Sequence, residues 1–245
     1  MLAKLVSLLR REGRVIDLND FDRIVVVGDT HGDWEASEQI VGEYLGARTA
    51  IVFLGDYVDR GGYENSKRNL DFLLSAKLSH PDRLFLLMGN HECYFVAPFA
   101  PADFWEALPQ REARSYASVL ALLPFAAYHR DYLMVHAALP KLTLAELADV
   151  GLGSEAWQIL VWGDWVETSG DLLGYDPLTG RPKLGRKWFG LAMRKVGFRK
   201  LLRSHDPSAP TFLYGGKCIT LFTSKFYGRR ELGILEKGRF RLEKL

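Results

Sequence analysis

The chain has 245 residues, 48% of them hydrophobic and 25% charged, which is ample apolar material for one large core or two small ones. A net charge of +2 gives no reason to expect nucleic acid or a membrane as partner, and no apolar run approaches the roughly 20 residues that span a bilayer. The two cysteines, Cys93 and Cys218, have neither metal-cage nor redox spacing, so a reducing, cytoplasmic setting is expected.

In chain order, MLAKLVSLLRR puts Leu2, Leu5, Leu8 and Leu9 near one helical face. Lys4 interrupts this apolar stretch and Arg10 and Arg11 close it, which predicts an amphipathic helix rather than a signal peptide. RIVVVGD, AIVFLGD and LFLLMGN are unbroken apolar runs that end in Asp29, Asp56 and Asn90, and such runs read as strands covered on both faces. Helical patterns separate them. Asp33 caps one that carries Ile40, Val41 and Leu45, with Gly46 just past its end; another carries Leu70, Leu73, Leu74 and Leu78 and stops at Pro81. A β-α-β-α-β start implies parallel strands, whose carboxyl ends gather functional groups into one crevice.

The aromatic segment YFVAPFAPADFW, residues 94–105, reads either as packing over a site or as a substrate wall. YLMVHA is a fourth strand pattern, ending at His136, and TLAE (Thr143 to Glu146) is a capping box that opens a short helix. SGDLLGYDPLTGRPKLG, residues 169–185, reads as a long Gly- and Pro-punctuated loop of the kind that often serves function. From Arg186 to Arg203 there are seven basic residues and no acidic one, read as a solvated helix face apart from Arg203. KCITLFTS reads as a strand, and LGILEKGRFRLEK as a hairpin turning at Lys237-Gly238. Parallel strands followed by antiparallel ones suggest a mixed sheet, or two packed sheets with helices outside. With no internal repeat or linker, one domain over residues 1–245 is expected.

The chemistry-bearing residues form a set: Asp29 and His31 in GDTHG, Asp56 in GDYVDRGG, Asn90 in GNHE, His136 in VHA and His205 in RSHD. All offer oxygen or nitrogen and none a thiolate, which suits manganese, iron, cobalt or zinc at a catalytic site better than a structural zinc cage. His80 and His129 carry no motif and are expected to be structural.

In this order the motifs resemble those of the phosphoprotein phosphatase (PPP) family of metal-dependent serine/threonine phosphatases. The likeness extends through LLPFAAYHRDYLMVHAALP, LVWGD and LFTSKFYG, roughly Val25 to Gly228. It implies the α/β fold of the calcineurin-like metallophosphoesterases, with two mixed sheets packed as a sandwich between helices. It further implies that Asp29, His31 and Asp56 hold one divalent ion, and that Asp56 bridges to a second held also by Asn90, His136 and His205. The ions would be manganese, with iron or zinc as alternatives. By the same resemblance His91 is the general acid with Asp59 as its partner, Arg60 and Arg203 grip phosphate, and Tyr227 lines the mouth.

Charge supports this assignment. Two divalent ions facing only two carboxylates remain electropositive enough to acidify a bridging water and attract a phosphate dianion. The expected reaction is removal of phosphate from phosphoserine and phosphothreonine in proteins by direct attack of that hydroxide, with no regulatory subunit and a monomeric chain. Gly228, Lys225 and Phe226 depart from the family's Cys, Pro and Asn. A nucleotide hydrolase of the diadenosine tetraphosphatase type is the first alternative. A phosphodiesterase is the second, and it commonly carries His-x-His where this chain has His205 followed at the second position by Pro207.

Overall fold

The structure, a computed structural model, describes residues 2–245. It opens with α1 (Leu2–Glu12), β1 (Val15–Asp17), β2 (Arg23–Val27), α2 (Trp34–Tyr44), β3 (Thr49–Phe53), α3 (Tyr63–Ser79) and β4 (Leu84–Leu86). The middle carries α4 (Asp103–Ala107), α5 (Gln110–Leu120), β5 (Ala126–His129), β6 (Tyr132–Val135), α6 (Leu144–Ala148), α7 (Glu155–Trp162) and β7 (Asp164–Trp165). Then come β8 (Leu172–Tyr175), β9 (Pro182–Leu184), α8 (Arg186–Val196), β10 (Lys200–Arg203), β11 (Phe212–Leu213), β12 (Cys218–Thr220), β13 (Glu231–Glu236) and β14 (Arg239–Lys244).

One sheet has the order β14-β13-β2-β3-β4 and the other β1-β5-β6-β10-β12-β11. Strands β2, β3 and β4 are parallel, as are β6, β10 and β12, while β13 and β14 run antiparallel beside β2. The unbroken apolar runs now have a physical account. Along β2 and β3, Ile24, Val26, Ala50 and Val52 enter one core with Met134, Leu202 and Ile219 of the other sheet. Their alternates Val25, Val27, Ile51 and Phe53 enter a second core with Leu5 and Leu9 of α1, Ile40 of α2 and Leu70, Leu73 and Leu74 of α3. A strand covered on both faces has no polar face to show. This is the sandwich with flanking helices that the resemblance implies.

Local expectations hold in detail. Asp33 caps α2 by accepting the Ala36 amide, Thr143 and Glu146 close a capping box, and Lys237 and Gly238 take positive φ between β13 and β14. Residues 169–185 differ. They are not an open loop: β8 and β9 pair within them and, with β7, make a third sheet ordered β7-β9-β8. Leu172, Leu173 and Tyr175 do not alternate between apolar and polar, and the β8–β9 pairing shifts register between Leu172 and Tyr175, so the segment carries no period-2 signal. The basic run also finds partners, since Arg186, Lys195 and Arg199 pair with Glu167, Glu146 and Asp131.

Candidate metal centre and catalytic cleft

Asp29, Asp56, Asn90, His136 and His205 lie one to four residues beyond the carboxyl ends of strands β2, β3, β4, β6 and β10. Strand ends deliver them, but turning their side chains inward distorts the backbone. Of the eight non-glycine residues with positive φ among the described residues, five are His31, Asp56, Asp59, Arg60 and His205. Each such residue costs about 1–2 kcal/mol, which the surrounding structure must offset. Glu92 supplies part of that support. Its buried carboxylate accepts the N–H of Asp56 at 2.8 Å, of Tyr57 at 2.8 Å and of Gly89 at 2.9 Å, tying the Asp56 loop to the Asn90 loop. Gly89 lets the two loops touch, because a Cβ there would collide with the Asp56 carboxylate. Sequence reasoning passed over Glu92; its place in GNHE, directly after His91, is the signal that was available. Ser204 does the same work elsewhere, accepting the Asp29 N–H at 2.9 Å and donating to the Leu221 carbonyl at 2.7 Å.

The imidazoles are oriented as metal ligands would need to be. His31 Nδ1 lies 2.7 Å from the Val58 carbonyl, which can only accept, so Nδ1 carries the hydrogen and Nε2 keeps its lone pair. That buried Nε2 has no hydrogen-bond partner and stands 3.6 Å from Asp56 and 3.8 Å from Asp29. His136 Nδ1 donates to the Leu54 carbonyl at 3.0 Å. Its Nε2 lone pair faces Asp56 Oδ1 at 3.4 Å, Asn90 Oδ1 at 3.1 Å and His205 Nδ1 at 3.1 Å. A buried nitrogen lone pair facing carboxylate and amide oxygens is repulsive unless a cation joins them, so these donors fit divalent metal.

Two clusters of metal-competent groups result, His31–Asp56–His91 and Asp56–His136–His205, and Asp56 belongs to both. Asp29 stands as near to His31 Nε2, at 3.8 Å, as His91 Nε2 does to Asp56, at 3.9 Å, and its carboxylate accepts from the Tyr227 hydroxyl at 3.0 Å and from the His205 N–H at 3.3 Å.

Electrostatics divides the groups. Burial opposes the charge on Asp56, but the imidazoles turned toward it, His136 and His91 foremost, outweigh it and hold its carboxyl well below the usual range. Burial, with the charge of Asp56, pushes Asp29 up. Burial keeps His31 and His205 neutral, aided by His91 for the former and Arg181 for the latter. His91 goes the other way: burial disfavours its cation, yet Asp56 and the Asp59 carboxylate 2.6 Å from Nδ1 raise its pKa.

A cleft of about 670 Å³ opens over His91, lined among others by Arg60, Phe99, Trp162, Leu178 and Arg181. Arg203, expected here, is absent from its lining. The side chain is fully buried and donates to the Ser204 carbonyl, with Asp206 3.8 Å away. The cause is strand alternation: Leu201 lies in the helix-side core and Leu202 in the inter-sheet core, so Arg203 at the end of β10 turns back into the protein. Arg181, at the edge of β9, stands in the cleft instead. It lies in the segment 169–185 that the sequence marked as functional, but nothing local distinguished it from the other arginines. Asp164 links it to the metal ligands, 3.8 Å from Arg181 and 3.6 Å from His205 Nε2. Burial pushes the Asp164 carboxyl up to about 6. Tyr227 stands between Asp29 and the Arg60 guanidinium, which lies 5.7 Å from its ring centre. His129 bonds the Phe21 carbonyl and His80 caps α3, both away from the site.

Residues 22–209 match the family described as calcineurin-like phosphoesterase. Serine/threonine-protein phosphatase T of Saccharomyces cerevisiae is 27% identical over 244 residues, covering 90% of this chain and 46% of that protein. The chain thus spans about half the length of that curated relative. A solved protein serine/threonine phosphatase from Saccharomyces cerevisiae, with similarity to human phosphatase PP5, superposes with a TM-score of 0.81 at 23% identity, covering 100% of this chain and 88% of that one. The cold-active protein-tyrosine phosphatase of a psychrophile Shewanella sp. gives 0.66 at 15% identity, covering 94% and 79%. The chain belongs to the calcineurin-like phosphoesterases.

Proposed function

We propose that this calcineurin-like phosphoesterase is a metal-dependent protein phosphatase of the PPP type that cleaves phosphoserine and phosphothreonine monoesters. The observation that carries the reading is the pair of metal-competent clusters that share Asp56, with His91 at the cleft side of one of them and held there by Asp59. The oxygen and nitrogen donors suit manganese, with iron or zinc as alternatives. When bound, two such ions would supply electrophilic charge and acidify water.

The chain's own groups divide the remaining work. Arg60 and Arg181 stand in the cleft to take the peripheral oxygens of the phosphate and the charge that develops on them. Water attacks phosphorus in line, opposite the departing serine or threonine oxygen. A cysteine nucleophile has no support here, since both cysteines are buried and the Cys93 thiol is turned to the Gly89 carbonyl. The leaving alkoxide needs a proton, and His91 can give one from Nε2 because Asp59 holds its other nitrogen and favours the cation. Tyr227 fixes Asp29 and packs beside Arg60. A reducing, cytoplasmic location and a monomeric chain without a regulatory subunit complete the reading; the two free, buried thiols are in keeping with such a compartment.

The test is phosphate release by the metal-stripped protein from a phosphothreonine peptide, with Mn²⁺ restored or withheld, beside diadenosine tetraphosphate. Mn²⁺-dependent turnover of the peptide above the nucleotide is the expected result. A preference for the nucleotide would overturn the substrate assignment.

A further inference from the structure

Exposed large apolar side chains normally scatter singly over a protein surface. Among the described residues here, most fall in three segments that also carry residues of the catalytic cleft. Phe95 and Val96 follow His91 in the chain, Leu172, Leu173, Tyr175 and Leu178 lie on the β8–β9 hairpin, and Phe226 precedes Tyr227; only Phe212 is elsewhere. Leu178 is the extreme, 94% exposed in the turn between β8 and β9, yet part of the lining of the catalytic cleft together with Phe99 and Pro101.

The turn that offers Leu178 is held firmly. The Asp176 carboxylate accepts the N–H of Leu178 and of Thr179, each at 3.0 Å, and pairs with Lys183 at 2.9 Å. Arg181 rides on the same hairpin, so one element carries both an arginine facing the phosphate and an apolar tip beside it. A further recess of about 320 Å³, lined by Val96 and Trp157, shares Phe99, Trp162 and Thr179 with the cleft and extends its apolar wall. The space exceeds what a phosphate and a serine side chain fill, and the chain that brings them must lie along this wall. Phe99 packs edge-on against His91 and Trp162, and the Arg181 guanidinium lies 5.6 Å from the Trp162 ring centre.

We propose that the cleft selects phosphorylated segments with an apolar residue beside the phosphorylated one, and that Leu178 reads it. This rests on the protein-phosphatase reading above and deepens it by naming the substrate class.

The experiment compares two phosphothreonine peptides, identical except that leucines or serines flank the phosphothreonine, with each rate divided by that on p-nitrophenyl phosphate, which has no flanks. The native protein should favour the leucine peptide by about tenfold in kcat/KM, the order expected for one buried leucine. Leu178→Ser should bring that preference down to near unity, while Phe212→Ser, equally an exposed apolar-to-polar change but away from the cleft, should leave it intact. Equal rates on the two peptides, or a preference that survives Leu178→Ser, overturn the proposal and leave the phosphatase reading standing. Turnover of p-nitrophenyl phosphate with neither peptide cleaved removes both.

Discussion

In the first half of the chain Asp29, Asp56 and Asn90 stand directly past three parallel neighbours of one sheet, β2, β3 and β4, with only a glycine or a short turn between strand and ligand. In the second half the arginine that faces the cleft stands just before β9, a strand of a separate small sheet, while the arginine two residues before His205 is buried. The contrast shows what a strand end can and cannot specify. Parallel crossovers place successive carboxyl ends side by side, so a local motif fixes position in space. Where the connection wanders through an irregular hairpin, sequence neighbours and spatial neighbours part company.

The widest separation between the halves should come from Asp56→Asn. It removes the carboxylate that both ligand clusters share, so calorimetry should show both ions weakened by more than the ~10–100-fold typical of an outer-shell partner, and Mn²⁺-dependent turnover should vanish. Retention of two tight sites in this variant would break the account of the first half. Next in size is His91→Asn, expected to lower turnover of a phosphothreonine peptide by on the order of 10²–10⁴-fold. The loss on p-nitrophenyl phosphate should be much smaller, since its phenolate leaves without a proton; equal losses on both would remove His91 as the acid.

The second half is sharpened by a pair of variants. Arg181→Ala should cost on the order of 10²-fold in kcat/KM with little change in melting temperature, as for removal of one donor to a developing oxyanion. Arg203→Ala should leave kcat/KM much closer to native, since its guanidinium bonds the Ser204 carbonyl and does not line the cleft, and a loss as large as that of Arg181→Ala would contradict the burial seen here. The smallest effect concerns the hairpin turn. The hydrogen bond from Lys183 and the N–H groups of Thr179 and Leu178 hold the Asp176 carboxyl below its ordinary 3.8. A depressed acid stabilises the turn above 3.8 and loses that contribution as pH falls through the lower folded-state value. NMR should therefore show the Leu178 and Thr179 amides titrating with a midpoint below 3.8, and Lys183→Met should move it upward.

Much of this was legible in the sequence, and the boundary has a physical cause. The helices, the strands, the cap at Asp33 and the hairpin at Lys237-Gly238 follow from apolar periodicity and turn chemistry, which act over a few residues. The clustering of Asp29, Asp56, Asn90, His136 and His205 was legible because all five stand at strand ends. Glu92 was missed because its task is to accept three backbone N–H groups, and backbone partners leave no mark on composition. Arg203 was misplaced because position two residues before a ligand histidine says nothing about which face of β10 the side chain takes. Arg181 and the sheet that carries it depend on contacts among β7, β8 and β9 that no local pattern encodes.

The left-handed backbone at His31, Asp56, Asp59, Arg60 and His205 bears on how such a protein can change over generations. At these positions a replacement meets two separate demands, one from chemistry and one from the peptide, and most side chains fail the second even where they could meet the first. Glycine meets the second alone. A lineage that gave up catalysis would thus be drawn toward glycine at these five sites and would gain a sturdier fold as it lost its activity. Selection for turnover and selection for stability pull against each other here within single residues.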